Sequence, residues 1–422
     1  MGMSRRSFIS AGVLGAGVVP DRTTSVSAEL GDYKGSLLAF GIEGRLLGRR
    51  VDYQEKSSAL LQVDLQSGQQ RITKVPIAKA HIAQSILPGR ILCMPQNWPE
   101  AVVVDANHEV IATLRAPAGF LYSGHALVLP SGDHVALPLC QEVRLDGGAR
   151  GAVEIISLSN LKRVDLVQNW GFNPHELQYC QARGEVVVAD YGTLTRSGRP
   201  LFAQFGRPAI FTCDPQSLAV KRVHEQNEFA GAPTHLRVDI TGSAAYFILQ
   251  QAAYVNVHSK TSTYEAELLA SEADMQRILG LPPRDYVLAP DDYRSPELSA
   301  PRPLVRLDLS SGMATPFMVA PRHHLKPQSV ERNDVTGFVV ASYTASDVLV
   351  LHRGRGVAKV LDGADVGVSE IRGLADIPGS PFIAVSGSDR NLSIVDLRTC
   401  KSVRIFGTRN YASPHLTFAP WA

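Results

Sequence analysis

Short apolar runs alternate with polar turns along most of the chain, and the turns join the runs in pairs. The second run of each pair is only half apolar, as expected of a strand with one exposed face. Glycine, serine, asparagine and aspartate occupy the turns, as in β-hairpins. Seven hairpins of this form are predicted: ALLQVDLQSGQQRITKVP from residue 59, AVVVDANHEVIATLRAP from 101, AVEIISLSNLKRVDLVQ from 152, AIFTCDPQSLAVKRVHE from 209, LVRLDLSSGMATPFMVAP from 304, DVLVLHRGRGVAKVLDG from 347 and LSIVDLRTCKSVRIFG from 392.

A second pattern lies between the hairpins and consists of a short strand, a polar turn and a strongly apolar strand. Its copies are HIAQSILPGRILCM from 81, HALVLPSGDHVALPL from 125, HELQYCQARGEVVVAD from 175, HLRVDITGSAAYFIL from 235, QSVERNDVTGFVVAS from 328 and GLADIPGSPFIAVSG from 373. A seventh copy is divided between the chain ends, with HLTFAPWA from 415 and GSLLAFG at 35–41. One copy and one hairpin together make a four-stranded sheet, and regular recurrence of such sheets is typical of β-propellers.

The repeats therefore predict an all-β fold, a seven-bladed β-propeller of the YVTN or WD40 type. We expect the C-terminal strand to pair with the strand at 35–41, because closure of the ring leaves few exposed sheet edges. Residues 29–422 would form this single domain, and we expect a monomer. An insertion at about 251–303 interrupts the repeat; its segment STYEAELLASEADMQRILGLPP is predicted to be helical and to end at Gly280. It would either cover one face of the propeller as a lid or be a decoration without function.

Histidine recurs at one position of the second pattern. Aligned on that pattern, the residues that open the first strands are His81, His125, His175, His235, Gln328, Arg372 and His415. Five of these seven are histidine, although the whole chain has only 12. First strands are the innermost strands of a propeller, so these residues should form a ring at the mouth of the central channel. Imidazole nitrogens suit a first-row transition metal, and we predict such a site, with iron as the expected ion, at the five histidines.

Polar neighbours of the ring are predicted to orient the ligands. They are Glu176, Arg237, Gln328 and Arg372, with Asn173, Tyr122, His323 and His324 as further candidates. The alternative is structural: each histidine would bond the backbone of a neighbouring blade and recur because the blades were duplicated. The sequence leaves both interpretations open, and Glu176 shares them, because a carboxylate beside a histidine can serve only to hold its ring.

The N-terminus has the form of an export signal. Arg5 and Arg6 precede a short apolar segment, and Val26-Ser27-Ala28 is a small-residue cleavage pattern. The order Ser-Arg-Arg-Ser-Phe-Ile from residue 4 fits the twin-arginine signal, whose route carries folded proteins across the bacterial inner membrane. We therefore predict that residues 1–28 are a signal peptide and that the protein is periplasmic.

Charge and cysteine usage narrow the partners. Three arginines and one aspartate fall within residues 1–28, which leaves 39 basic and 39 acidic residues in the mature chain. Because no basic block remains, nucleic acid is not an expected partner. Beyond the signal no apolar run is long enough to span a membrane. The five cysteines are widely spaced, without a CxxC or CxxCH motif, which argues against attached haem and cysteine-based zinc sites.

Four segments carry a family resemblance: SRRSFI, GHALVLPSGD, NPHELQYCQARGEVVVADYGT and THLRVDITGSAAYFILQ. They resemble a family of twin-arginine-exported propellers of unknown function (domain-of-unknown-function family 1513), often encoded beside imelysin-type iron-uptake proteins. The resemblance is clearest from about 120 to 250 and implies a periplasmic role linked to iron or another metal, with iron-uptake proteins as partners. The chain departs from the family around His175, with Asn169, Trp170, Phe172 and Asn173 in place of glycines and Asp190-Tyr191-Gly192 in place of Asn-Gly-Gly.

Other classes of function remain open. The chain has no GxSxG elbow, HExxH helix or phosphate-binding loop. Quinoprotein and lactonase propellers draw their ligands from scattered loops that leave no linear motif, so an enzyme of that kind is the first alternative. A scaffold that docks a partner on one face is the second. We favour the interpretation that the protein binds a transition metal or a metal-linked ligand without catalysing a reaction.

Overall fold

The alternating apolar and polar segments fold into a ring of small antiparallel sheets. The computed structural model describes residues 33–41, 58–78, 80–141, 150–192, 195–196, 199–200, 208–225, 232–250, 301–354, 356–408 and 415–420. Within them nearly all regular structure is β-strand. No helix in these ranges is long and apolar enough to cross a membrane.

Seven sheets, or blades, follow one another around the ring. The strands of the first three are β1 (Ser36–Gly41), β2 (Ser58–Asp64) and β3 (Gln70–Val75) in blade 1; β4 (Ala80–Leu87), β5 (Arg90–Pro95), β6 (Glu100–Asp105) and β7 (Val110–Arg115) in blade 2; and β8 (Phe120–Tyr122), β9 (Leu127–Val128), β10 (His134–Gln141), β11 (Gly151–Ser157) and β12 (Arg163–Gln168) in blade 3. In blade 3 both β8 and β9 pair with β10, so the innermost strand is interrupted.

The remaining blades repeat this order. Their strands are β13 (Pro174–Cys180), β14 (Glu185–Asp190), β17 (Ala209–Cys213) and β18 (Val220–Glu225) in blade 4; β19 (Ala232–Val238), β20 (Ala244–Gln250), β21 (Leu304–Asp308) and β22 (Ala314–Phe317) in blade 5; β23 (Pro327–Asn333), β24 (Phe338–Tyr343), β25 (Val348–Arg353) and β26 (Gly356–Asp362) in blade 6; and β27 (Leu374–Asp376), β28 (Phe382–Ser386), β29 (Asn391–Asp396) and β30 (Lys401–Gly407) in blade 7. A small hairpin, β15 (Thr195–Arg196) and β16 (Arg199–Pro200), lies between β14 and β17 in the sequence.

The ring closes as predicted. The last strand, β31 (Leu416–Ala419), pairs antiparallel with β1, with Ser36 opposite Ala419 and Ala39 opposite Leu416. Blade 1 thus has the strand order β31-β1-β2-β3 and contains both ends of the described chain. Because β31 covers the inner edge of β1, closure satisfies backbone groups that an open ring would expose.

Apolar side chains fill the spaces between blades. The described residues form seven buried clusters, and each draws its members from two adjacent blades. One of them packs Leu61 and Val63 of blade 1 against Phe382 and Ile394 of blade 7, across the closure. Every blade therefore shares a core with both neighbours, which is why a single four-stranded blade would not be stable alone.

Helix is scarce in the described residues. A four-residue helix, α1 (Gly363–Val366), follows β26, and one turn of 3-10 helix spans Pro321–His323. The predicted helical insertion falls on residues 251–300, outside the described residues. Pro301, at its end, already forms a bridge with Leu325.

Candidate metal centre

Several inner strands have a β-bulge at the ring residue, and the bulge orients its side chain. The β4–β5 register shifts between Ala80 and Ile82, and the same kind of shift brackets His175 in β13, His235 in β19 and Gln328 in β23. A β-bulge leaves one residue out of the ladder and re-aims its side chain. The bulges therefore explain how side chains on an inner strand turn toward the axis.

Two of the five histidines, His125 and His415, lie next to an inner strand and not within one. The second pattern predicted that the first strand of blade 3 opens at His125, but this strand begins earlier, at Phe120, and His125 lies in the break between β8 and β9. His125 donates its backbone N–H to the carbonyl of His175 (2.7 Å) instead of to its own sheet. His415 immediately precedes β31.

All five predicted histidines come together. Nε2 of His81 lies 3.2 Å from Nε2 of His125 and 3.2 Å from Nε2 of His175. The His415 ring is 4.1 Å from the His81 ring, centroid to centroid, and the His235 ring is 4.9 Å from that of His125. Two overlapping groups have donor atoms all within 4.8 Å of one another: His81, His125 and His415; and His125, His175 and His235.

Hydrogen bonds fix which nitrogen faces the centre. Nδ1 of His175 lies 2.7 Å from the carbonyl oxygen of Ser123, and Nδ1 of His235 lies 3.0 Å from Oε2 of Glu176. Nδ1 of His125 is 3.6 Å from the other oxygen of Glu176. Carbonyl and carboxylate oxygens only accept, so Nδ1 of His175 and Nδ1 of His235 carry the proton, whereas the contact of His125 is longer than a hydrogen bond. In the neutral rings Nε2 then presents a lone pair, which is the form that binds metal.

The five imidazoles lie almost entirely out of contact with solvent. All five are less than 9% exposed, and His175 is fully buried. Burial, reinforced by the neighbouring imidazoles, lowers the pKa of His81, His175 and His415 well below 6.5. Burial lowers the pKa of His235 to about 4, although Glu176 favours its charged form.

Glu176 is the charged group at the centre. Burial disfavours its ionised form, but Arg237 and the histidines outweigh this and hold the pKa of its carboxyl well below the usual value. Arg237 donates to Glu176 from one side and to Glu331 from the other. The backbone N–H of Leu236 also donates to Glu176 (3.2 Å). Both oxygens of the carboxylate thus have hydrogen-bond partners, and Glu176 holds the imidazole of His235 in place.

The other predicted neighbours of the ring contact residues outside the histidine cluster. Tyr122 donates to Glu154 (2.8 Å), and His324 accepts the N–H of Val319 (2.9 Å) and packs on Tyr343. Among the described residues, neither Gln328 nor Arg372 forms a hydrogen bond with the five imidazoles. The backbone N–H of Arg372 donates to the carbonyl of Ser386 (2.8 Å).

Three contributors were not predicted from the sequence. Ser123 supplies the carbonyl that fixes His175, and Glu331 completes the contacts of Arg237. Tyr191 packs edge-on against His175, with ring centroids 4.7 Å apart. The only sequence signal for Ser123 is its position two residues before His125; Glu331 lies three residues beyond Gln328 on the same inner strand.

Comparison with known proteins identifies the fold alone. No protein-family model matches the chain, and no curated protein does. A protein from Lactobacillus plantarum is similar in structure (TM-score 0.54, 11% identity, 91% of this chain and 99% of that one). So are a functionally unknown protein from Desulfotomaculum acetoxidans (0.51, 8%, 90% and 99%) and Kuenenia stuttgartiensis hydrazine synthase (0.51, 9%, 81% and 92%). At such low sequence identities these similarities support the propeller fold, and no activity can be inferred from them.

Proposed function

We propose that this protein is an exported propeller that binds a transition metal ion, with iron as the expected ion, through its axial histidines and takes part in periplasmic metal uptake or handling. One observation carries the proposal. The Nε2 atoms of His125 and His175 both lie 3.2 Å from Nε2 of His81 in a buried site. One proton on His81 can satisfy only one of them, whereas a cation at the centre attracts all three.

The spacing agrees with this interpretation. Metal–nitrogen bonds of about 2.0–2.1 Å place neighbouring ligand nitrogens roughly 2.9–3.4 Å apart, depending on geometry. The two separations of 3.2 Å lie in that interval. His235 and His415 are close enough to complete the coordination after small rotations of their rings. A structural role in backbone bonding accounts for Nδ1 of His175 but not for the convergence of the Nε2 atoms.

The donor set bears on the alternatives. Calcium prefers six to eight oxygen ligands, so a calcium-dependent lactonase-like centre does not suit a ring of five imidazoles. Iron, copper, nickel and zinc all accept imidazole nitrogen. Because the donor atoms are buried on all sides, the arrangement favours holding an ion over exposing it to a substrate.

The cellular setting is part of the proposal. The Arg5-Arg6 pair and the resemblance to twin-arginine-exported propellers support a periplasmic location, and the neighbourhood of that family supports iron-uptake proteins as partners. The twin-arginine route fits a metal protein, because it exports a chain that has already folded.

Elemental analysis of protein purified from the periplasm without chelators tests the proposal. We expect close to one equivalent of a transition metal in the wild type and little in the His175→Ala/His235→Ala double variant. His352→Ala is the matched control, since His352 is also buried but lies on β25 and its ring nitrogens have no described hydrogen bond. Metal-free wild type, or full retention in the double variant, would refute the site.

A further inference from the structure

A line of buried charges runs from the histidines across three blades. Glu176 of blade 4 contacts Arg237 of blade 5, and Arg237 contacts Glu331 of blade 6. Nε of Arg237 lies 2.6 Å from one oxygen of Glu331, and a second guanidinium nitrogen contacts the other oxygen. Both carboxylates are less than 9% exposed. A two-point contact of this kind fixes the guanidinium in one orientation.

The charges in this line do not cancel. Two carboxylates face one guanidinium, so the line carries about one net negative charge when both carboxylates are ionised. Burial raises the pKa of Glu331, and the charge of Arg237 opposes that rise. In a buried environment such a charge acts strongly on a nearby cation, because little solvent screens it. Glu331 supplies this excess, since Arg237 and Glu176 alone would balance.

Blade 6 differs from the histidine blades in a way that fits this role. At the ring position it has Gln328, and Glu331 follows three residues later on the same inner strand, β23. Among the described residues, Glu331 has no hydrogen bond or ion pair with any of the five histidines; it is hydrogen-bonded to Arg237. Glu331 therefore acts on the centre without touching a ligand, through its contact with Arg237 and through its own charge.

We propose that Glu331 is a positioning residue that sets the charge of the metal centre. Because Arg237 shares its positive charge between Glu331 and Glu176, the centre keeps a net negative charge and favours ions of higher charge. The inference rests on the proposed function and deepens it. Its consequence is selectivity between oxidation states, because an added negative charge stabilises an oxidised ion more than a reduced one. Removing it should raise the reduction potential of the bound metal.

Copper is the probe, because both of its common oxidation states bind imidazole. We expect Glu331→Gln to weaken Cu²⁺ binding by about 10–100-fold, the usual effect of losing a group that orients or polarises ligands. Cu⁺ binding should weaken less, so the potential of the copper-loaded protein should rise. Glu331→Asp, which keeps the charge, should restore most of the Cu²⁺ affinity.

A second variant separates charge from structure. The double variant Arg237→Gln/Glu331→Gln keeps Glu176 as the one net negative charge, so its potential should return toward the wild-type value even though two contacts are lost. Glu154→Gln is the control, because Glu154 is also buried and also bonded to an arginine, Arg163, but in blade 3. It should leave the potential unchanged.

The outcomes distinguish the two proposals. Wild type that binds no copper, iron or zinc overturns the metal site and this inference together. Wild type that binds copper, with Glu331→Gln unchanged in Cu²⁺ affinity and potential, overturns only the role of Glu331. If Glu331→Gln does not fold, the double variant still decides: a potential far from the wild-type value would mean that net charge is not what Glu331 contributes.

Discussion

At the scale of residues, the centre depends on how closely two backbone segments approach. The N–H of His125 donates to the carbonyl of His175, and the carbonyl of Ser123 accepts from the His175 ring. Gly124 lies between these two contacts. A Cβ atom at Gly124 would be 2.0 Å from the carbonyl oxygen of His175, a distance that real Cβ atoms do not adopt. Glycine is therefore required there to bring two ligands together.

We expect Gly124→Ala to push the segment of His125 away from His175. The cost in stability should be about 1–3 kcal/mol, as for other overpacked sites, and metal affinity should fall more than tenfold. Denaturant titration and metal competition measure the two effects.

Gly407→Ala is the control, because a Cβ atom at Gly407 meets open space. Equal metal affinity in the two variants would show that the approach of the two segments does not matter for binding.

Some residues of the centre could be predicted from the sequence and others could not. The five histidines were found because duplicated blades repeat their residues at one register, and the structure brings all five together. Glu331 and Ser123 were not found, because their roles depend on which side chains face them across neighbouring blades. Such contacts are set by the angle between blades, which no pattern along a single strand encodes.

At the scale of elements, closure and the bulges do most to shape the site. The closing pair β31–β1 was predictable because each chain end had half of a repeat, and neither half could pair elsewhere in order. The bulges were not predictable, because these inner strands are too short for a one-residue shift in their alternation to be recognised. The interrupted inner strand of blade 3 was not predicted either, because the pattern that opens at His125 covers β9 and leaves out β8.

Deletion of residues 415–422 should destabilise the whole ring. It removes the strand that covers β1 and two buried side chains, Leu416 and Ala419, from a core shared between blades. We expect a fall of several kcal/mol in the free energy of unfolding, on the order of two large-to-small core substitutions or more.

Thermal unfolding followed by circular dichroism measures this, with His415→Ala as the control that removes the ligand but keeps the strand. A deletion variant that melts with the wild type would show that closure does not stabilise the fold.

At the scale of the whole molecule, the axis concentrates neutral histidines in a way that links stability to pH. Ordinary histidines have a pKa near 6.5, whereas burial lowers that of His235 to about 4 and those of His81, His175 and His415 well below 6.5. Between these values the unfolded chain binds protons that the folded chain excludes. Stability is therefore complete above about pH 6.5 and is lost as the pH falls toward 4.

For the metal-free protein we expect the free energy of unfolding to decrease by up to about 1.4 kcal/mol per pH unit for each such histidine over this window. Urea denaturation at pH 7.5, 6 and 5 measures the slope. The His175→Ala/His235→Ala double variant should have a clearly smaller slope. A slope unchanged by that double substitution would place the pH dependence elsewhere in the molecule.

The most direct test of the account is whether metal stabilises the folded protein through the ring. A ligand that binds only the folded state stabilises it by about 2.7 kcal/mol at a concentration one hundred times its dissociation constant. We therefore predict that iron, copper or zinc raises the melting temperature of metal-free protein at neutral pH. Alanine at His125, His175 and His235 together should abolish the rise while the fold is retained, and His352→Ala should keep it. No shift with any of the three metals in the wild type, or the same shift in a folded triple variant, would show that the axial histidines do not bind an ion.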